Sequence, residues 1–128
     1  MQRRGEIGPS LARFMRYQLH ARDLELRKAR KPSSEAQARR WESICATHEA
    51  LLDEAWEEVG AIAEWYGDEP AQIVVEKYLW DEDWHDIAAT HHLPYDLTKK
   101  MAYRALAWLD VWRAARMPPY GWENENGK

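Results

Sequence analysis

Apolar residues recur every three or four positions over most of the chain, which is the period of an amphipathic helix. The pattern predicts a first helix over residues Leu11–Ala29, beginning near Pro9 and Ser10 and ending before Pro32. Its expected apolar side is formed by Leu11, Phe14, Met15, Leu19, Leu24 and Leu26.

A second, longer helix is predicted over residues 34–66. Ser34 and Gln37 have the spacing of a capping box, and Gly67 provides a C-terminal cap. If the helix continues through Gly60 it is about 50 Å long. One short domain cannot cover that length, so we expect pairing with the first helix, with a second subunit, or with both. Its apolar stripe passes through His48, which is therefore predicted to be a partly buried packing residue.

Shorter helices follow. One begins at Asp68-Glu69-Pro70 and ends at Leu79, a second covers Trp84–Ala89 with a cap signature at Asp83 and Asp86, and a third covers Tyr95–Trp112. The residues expected to face inward are Ile73, Val74, Tyr78, Leu79, Trp84, Ile87, Ala88, Leu97, Met101, Ala105, Trp108, Leu109 and Trp112. Pro118 and Pro119 are expected to end the last helix.

These elements predict an all-α fold in three parts. Residues 1–67 form a long helical hairpin suited to oligomerisation, residues 68–116 form a three-helix module, and residues 117–128 form a flexible tail. No apolar run approaches the roughly 20 residues of a membrane span, and no signal peptide is evident. With one cysteine, Cys45, the chain is predicted to be a soluble cytoplasmic protein without disulfides.

Charge is distributed unevenly along the chain. Residues 1–31 carry nine Lys/Arg and three Asp/Glu, a net of +6, whereas residues 32–70 carry two and ten, a net of −8. The basic first helix either adds to the binding of an acidic partner or pairs with the acidic second helix. We favour the second alternative slightly, because long charged faces are commonly neutralised within a fold.

Residues that could carry catalysis are sparse. His85, His91 and His92 are close in sequence but do not share one helical face. The chain has no zinc-protease motif, phosphate loop or nucleophile elbow. The sequence therefore predicts no enzyme, no catalytic residue, no cofactor and no metal site.

The segment 71–112 resembles a known family. The pattern consists of Tyr78-Leu79, Trp84, Ile87-Ala88, Leu93, Arg104-Ala105-Leu106 and Leu109. It resembles the helix-turn-helix in the fourth region of bacterial sigma factors, and it is similar to phage transcriptional regulators of the ArpU and RinA type. The sequence departs from that family at Asp81, where a turn glycine is expected, at Pro94, where a Ser or Thr cap is expected, and at Thr98, where an aliphatic residue is expected.

The resemblance implies that the last helix enters the major groove of double-stranded DNA. The implied DNA-binding residues are those outside its core stripe: Tyr95, Lys99, Lys100, Tyr103 and Arg104. Asp96 is a further base-reading candidate, and Lys100 and Arg104 are also candidates for phosphate contacts. The family also makes RNA polymerase a candidate partner, and the long helices make a homodimer a further prediction.

Two alternative functions remain open. Small terminase subunits also combine a helix-turn-helix with long oligomerising helices, but they tend to carry the DNA-binding module first. The acidic residues Asp81, Glu82, Asp83 and Asp86 favour an alternative in which the fold binds a protein and not DNA.

Overall fold

A computed structural model describes residues 7–116, which form helices joined by short connections and contain no strand. The predicted all-α class is confirmed. The helices are α1 (Pro9–Lys28), α2 (Glu35–Trp65), α3 (Asp68–Val74) followed directly by a π-helical turn (Val75–Leu79), α4 (Trp84–His91) and α5 (Tyr95–Arg116). The predicted stop at Pro118-Pro119 and the predicted tail lie outside the described residues. No helix between residues 7 and 116 has the length and apolar character needed to cross a membrane.

Helix α2 begins with a modified capping box. The Ser34 hydroxyl accepts a hydrogen bond from the Gln37 backbone N–H at 3.1 Å, as the sequence predicts. In a standard capping box the Gln37 side chain would accept from the backbone N–H of Ser34. Here it accepts from the backbone N–H of Ser33 at 2.6 Å. The helix continues through Gly60 without a break for 31 residues, about 46 Å. At its end the N–H groups of Tyr66 and Gly67 both donate to the carbonyl of Ile62.

Helix α1 runs antiparallel to α2. Near one end of the pair the Arg27 guanidinium lies over the ring of Trp41, 5.4 Å from its centroid. Near the other end Arg13 forms a salt bridge with Glu58. The acidic second helix therefore neutralises at least one cation of the basic first helix.

The core is formed where α1 and α2 meet the shorter helices. Phe14 is fully buried, and its ring packs edge-on against Tyr17 at 5.0 Å and Tyr78 at 6.0 Å between centroids. The other large buried side chains include Ile62, Ile73, Ile87, Leu106 and Leu109. Full burial of each such side chain contributes about 1.5–3 kcal/mol. This is enough to fix α3, α4 and α5 against the long helices.

Two predicted apolar faces are partly wrong. On α1 the buried side includes Phe14 and Leu24, but Met15, Leu19 and Leu26 are exposed. Tyr17 and Ala21 are buried instead. Together with Phe14 and Leu24 they are spaced three or four residues apart, so they form one continuous stripe along α1. Leu11 is half-buried and packs against the core.

The corresponding correction on α5 concerns its first turns. Leu97 is exposed, while Thr98 and Ala102 are fully buried. Thr98 is accommodated because its hydroxyl donates to the carbonyl of Pro94 at 2.9 Å. Small side chains at Thr98, Ala102 and Ala105 allow α5 to lie close to α3 and α4. The predicted inward residues Met101, Trp108 and Trp112 are half-buried at the edge of the core.

The connections around α4 are tight. Asp83 is the N-cap residue, as predicted, but its side chain makes no capping hydrogen bond. The helix ends at His91, two residues later than predicted, and His92 adopts a left-handed conformation with φ of 55°. The N–H of Leu93 then donates to the Ala88 carbonyl at 3.0 Å. This turn brings the chain directly into α5.

Candidate nucleic-acid interface

The five residues proposed from the sequence lie in the first half of α5 and differ in exposure. Lys100, Tyr103 and Arg104 are exposed, while Tyr95 and Lys99 are half-buried. By helical periodicity Lys100, Tyr103 and Arg104 point away from the buried residues of α5, whereas Tyr95 packs against the edge of the core. The structure therefore leaves Lys100, Tyr103 and Arg104 open to solvent and places Tyr95 and Lys99 at the border between that surface and the core.

The Tyr95 ring is contacted by His85 and by Lys99. Its ring stacks on the imidazole of His85 with centroids 4.3 Å apart and an interplanar angle of 28°. The Lys99 ammonium lies 5.4 Å from the centroid of the same ring. The stacking on His85 ties the start of α5 to α4.

Tyr103 is supported from below by Trp84, which it meets edge-on with centroids 6.0 Å apart. Trp84 in turn contacts Tyr78 edge-on and lies beneath the Lys77 ammonium. A row of aromatic rings therefore connects this surface to the core. Tyr103 itself is 41% exposed.

The first half of α5 carries three cations that could contact a ligand. Among the described residues Lys99, Lys100 and Arg104 form no salt bridge. Asp96 is exposed in the first turn, where a carboxylate is favoured by the helix dipole. The upper part of α5 thus carries more positive than negative charge.

The acidic turn is partly neutralised by α1. Asp81 accepts hydrogen bonds from Arg22 at 2.8 and 3.0 Å and from the Gln18 amide at 2.7 Å. The Arg22 hydrogen bond lowers the pKa of Asp81 below its ordinary value. Asp83 and Asp86 remain exposed on α4.

The sequence did not indicate how α4 is anchored. His91 Nε2 lies 2.9 Å from the buried Glu76 carboxylate, and His91 Nδ1 lies 3.2 Å from Glu69. Burial alone lowers the His91 pKa, but the hydrogen bonds and charges of Glu76 and Glu69 outweigh it and raise that pKa. His91 is the last residue of α4, but its main partners come from α3 and the π-helical turn. Residues 15 and 22 positions away cannot be identified from local spacing.

Two further polar clusters lie between α1 and α2. Glu58 is buried and accepts hydrogen bonds from Arg13, from Tyr17 at 2.7 Å and from Arg113 at 3.3 Å. Burial, together with Glu58, raises the pKa of Tyr17 to about 12.

The second cluster contains His48, which is partly buried as predicted. Its Nδ1 shares a hydrogen bond with His20 Nδ1 at 2.9 Å, and its Nε2 lies 2.7 Å from Asp23. Burial and the neighbouring His48 lower the pKa of His20. Within residues 7–116 no group of three or more His, Cys, Asp or Glu side chains is placed to hold a metal ion.

The candidate interface is thus a cationic and aromatic side of α5, fixed to α4 by Tyr95 and to the core by Trp84. Its shape follows from small buried residues on the opposite side of the same helix. No family model matches this chain, and no curated protein or solved structure matches it at a significant level.

Proposed function

We propose that the chain is a phage-type transcriptional regulator that acts in the cytoplasm and binds duplex DNA. In this proposal α1 and α2 form the supporting hairpin, and α3 to α5 form a helix-turn-helix with α5 as the recognition helix. The observation that carries it is the set of cations Lys99, Lys100 and Arg104 on α5, none of which forms a salt bridge with a residue between 7 and 116. Recognition helices present such a side to the major groove, with residues near the N-terminus reaching base edges.

Each proposed residue has a role that fits its surroundings. Tyr95 and Lys99 are held in place by His85 and by each other, so they are suited to base edges, where a fixed geometry provides specificity. Lys100 and Arg104 are exposed, so they are suited to phosphates, which position the protein without reading sequence. Tyr103 adds a hydroxyl from a ring that Trp84 supports.

Two departures from the sigma-like pattern are compatible with this proposal. Asp81 adopts φ of 54°, the left-handed conformation that a turn glycine adopts readily. Aspartate tolerates this region better than most residues, and Arg22 and Gln18 hold its carboxylate. Thr98 occupies a buried position without an unsatisfied hydroxyl, because Pro94 accepts its hydrogen bond.

Binding by this surface alone should be weak. Three phosphate contacts give a slope of log Kobs against log salt of about −2.7, so affinity falls roughly fortyfold between about 50 and about 200 mM salt. Tight binding then requires a second copy, another basic surface or RNA polymerase as a partner.

The experiment is fluorescence anisotropy with labelled duplex DNA across a salt series. The first variant is Lys99→Ala/Lys100→Ala/Arg104→Ala. The matched control, Lys28→Ala/Arg30→Ala/Lys31→Ala, removes three exposed cations near the end of α1. Loss of binding in the first variant alone supports the proposal. Loss in the control alone would place the DNA site on the basic first helix and overturn it.

A second candidate is a protein-binding inhibitor that uses the same module. It is favoured by Asp83 and Asp86, which remain exposed on α4 and form no salt bridge with a described residue. Such a surface competes for basic sites on another protein. Absence of DNA binding even at low salt, together with stable capture of RNA polymerase that Asp83→Asn/Asp86→Asn abolishes, would support this candidate over the first.

A further inference from the structure

His20 on α1 and His48 on α2 meet through the same ring nitrogen. Their Nδ1 atoms lie 2.9 Å apart, and their ring centroids lie 4.9 Å apart. The other nitrogen of His48, Nε2, lies 2.7 Å from the Asp23 carboxylate. An ionised carboxylate only accepts hydrogen bonds, so Nε2 of His48 carries a proton. A neutral His48 therefore has a bare Nδ1, and His20 donates the proton that joins the two rings.

This contact holds one proton between the two Nδ1 atoms. The pair can take up a first additional proton, because a His48 with both nitrogens protonated can donate to a bare Nδ1 of His20, which then carries its proton on Nε2. After a second additional proton both Nδ1 atoms carry N–H groups, and these face each other across 2.9 Å with no acceptor between them. The doubly protonated pair is therefore incompatible with the observed contact.

The charges on α1 do not compensate a second proton. Arg16 opposes the protonation of His20, and Asp23 favours it. However, the Asp23 oxygen that meets His48 also accepts a hydrogen bond from Arg27 at 2.8 Å. A single carboxylate that is shared with an arginine cannot balance two imidazolium rings that are in direct contact.

The nearest titratable residues along α2 do not bond to the pair. They are Cys45, which lies one turn before His48 and is half-buried, and Glu49, which is exposed. Between residues 7 and 116 Glu49 forms no salt bridge, and the hydrogen bonds of the His48 ring go to His20 and Asp23. The response of the pair to acid therefore depends on α1 and on the two rings themselves.

The pair lies in the half of the α1–α2 hairpin nearer its connecting loop, residues 20–48, which we call the loop end. Here α1 buries Leu24, but residues 35–54 of α2 contain no buried residue. The other half of the hairpin contains the fully buried Phe14 and Ile62 and belongs to the core. Loss of the histidine contact should therefore separate the loop end while the core half stays packed.

We propose that the second protonation of the His20–His48 pair separates the loop end of the hairpin, which is closed at neutral pH and open in acid. In the open form each imidazolium ring is hydrated separately, so the two N–H groups no longer face each other. The loop end contains no residue of α5, so this opening is independent of the proposed DNA surface.

The pKa of His20 has the direction that such a device requires. Burial lowers this pKa, and the neighbouring His48 lowers it further. A histidine with a lowered pKa contributes stability above its ordinary value of about 6.5, and the contribution is lost as pH falls from there to the folded-state value. The pKa of Asp23 is also lowered, chiefly by the hydrogen bond from Arg27, so Asp23 stays charged while the histidines titrate.

The first test measures the distance between two spin labels at the loop end by pulsed electron resonance. Lys28→Cys/Arg40→Cys places the labels on exposed sites of the two helices. These sites are next in sequence to Arg27 and Trp41, which are in contact across the hairpin. A Cys45→Ser background keeps the labelling specific, because Cys45 is the single cysteine of the chain.

The matched control, Met15→Cys/Glu57→Cys, labels two exposed sites in the core half of the hairpin. Between about pH 7.5 and about pH 4.5 the loop-end distance should lengthen by at least about 5 Å, roughly half an interhelical distance, while the control distance stays constant. A constant loop-end distance would mean that the rings only rotate, and it would overturn the proposal. Equal lengthening of both distances would indicate global unfolding and would overturn it as well.

His20→Gln and His48→Gln separate the pair from other acid effects, because glutamine forms hydrogen bonds but does not titrate. With the loop-end labels, each variant should keep its neutral-pH distance down to about pH 4.5. Lengthening in both variants to the extent seen with both histidines present would assign the opening to other groups and would contradict the role of the pair.

The second test determines the tautomers of both rings by nitrogen NMR of the unlabelled protein. At about pH 8.5, where the pair is neutral, His20 should carry its proton on Nδ1 and His48 should carry its proton on Nε2. Two bare Nδ1 atoms would mean that the rings share no proton, and the proposal would then be wrong.

Discussion

His91 Nε2 on α4 lies 2.9 Å from the carboxylate of Glu76, which is buried in the π-helical turn before α4. The His91 pKa is raised because Glu76 and Glu69 favour the protonated ring more strongly than burial opposes it. A protonated ring donates from both nitrogens, so it satisfies both carboxylates at once. This contact fixes the position of α4, and with it the start of α5.

A pH dependence follows from the raised His91 pKa. Its stabilising contribution is fully present below the ordinary histidine value and is lost as pH rises through the folded-state value. The free energy difference between wild type and His91→Gln should therefore be larger near about pH 5.5 than near about pH 8.5. Urea denaturation of both proteins at each pH measures it. The lowered His20 pKa has the opposite effect on the pH dependence of stability. This effect is the same in wild type and in the variant, so it cancels in the difference. A difference that grows with pH would contradict this role of His91.

Phe14 is fully buried between Tyr17 and Tyr78, so its truncation should leave a cavity in the core. Phe14→Ala should reduce the free energy of unfolding by about 3–5 kcal/mol. Met15→Ala, on the exposed side of the same turn, should change it by less than about 0.5 kcal/mol in dilute solution. Chemical denaturation of the two variants compares them directly, and similar losses would mean that the core side of α1 is misassigned.

Glu58 connects three helices, since Arg13 and Tyr17 on α1 and Arg113 on α5 all donate to it. Glu58→Ala leaves these groups without their buried acceptor and should cost about 3–5 kcal/mol. Glu57→Ala removes the exposed carboxylate of the preceding residue and should reduce the free energy of unfolding by less than about 0.5 kcal/mol. Thermal unfolding monitored by circular dichroism gives both values. Equal stability of the two variants would show that Glu58 does not hold the helices together.

The left-handed conformation of Asp81 can be separated from its pairing with Arg22. Asp81→Gly and Asp81→Ala lose the same ion pair, but alanine also carries a Cβ into a region with φ of 54°. Asp81→Ala should therefore be less stable than Asp81→Gly by about 1–2 kcal/mol. Urea denaturation of the pair measures that difference. An alanine variant as stable as the glycine variant would mean that the turn does not require this conformation.

Sequence periodicity located the helices well, because apolar spacing and capping residues are local signals. Ser34, Asp83 and Tyr95 stand where the sequence predicts a helix start. Periodicity could not decide which apolar side of α1 is covered, since Phe14 and Leu24 lie on one side and Met15 and Leu19 on the other. Only the tertiary packing distinguishes them.

The polar contacts behind the candidate site were beyond local reasoning. His91 meets Glu76, and Arg22 meets Asp81, across separations of 15 and 59 positions. The π-helical turn at Val75–Leu79 has no signal in the sequence that we recognise. By contrast, the candidate residues Lys100, Tyr103 and Arg104 could be proposed directly, because a residue outside a core stripe is expected to face solvent.

The central claim is that the open side of α5 binds duplex DNA, and the salt dependence of binding tests it most directly. We predict a wild-type slope of log Kobs against log salt of about −2.7, and a slope near zero after Lys99→Ala/Lys100→Ala/Arg104→Ala. An unchanged slope and affinity in that variant, or no wild-type binding at low salt, would contradict the claim.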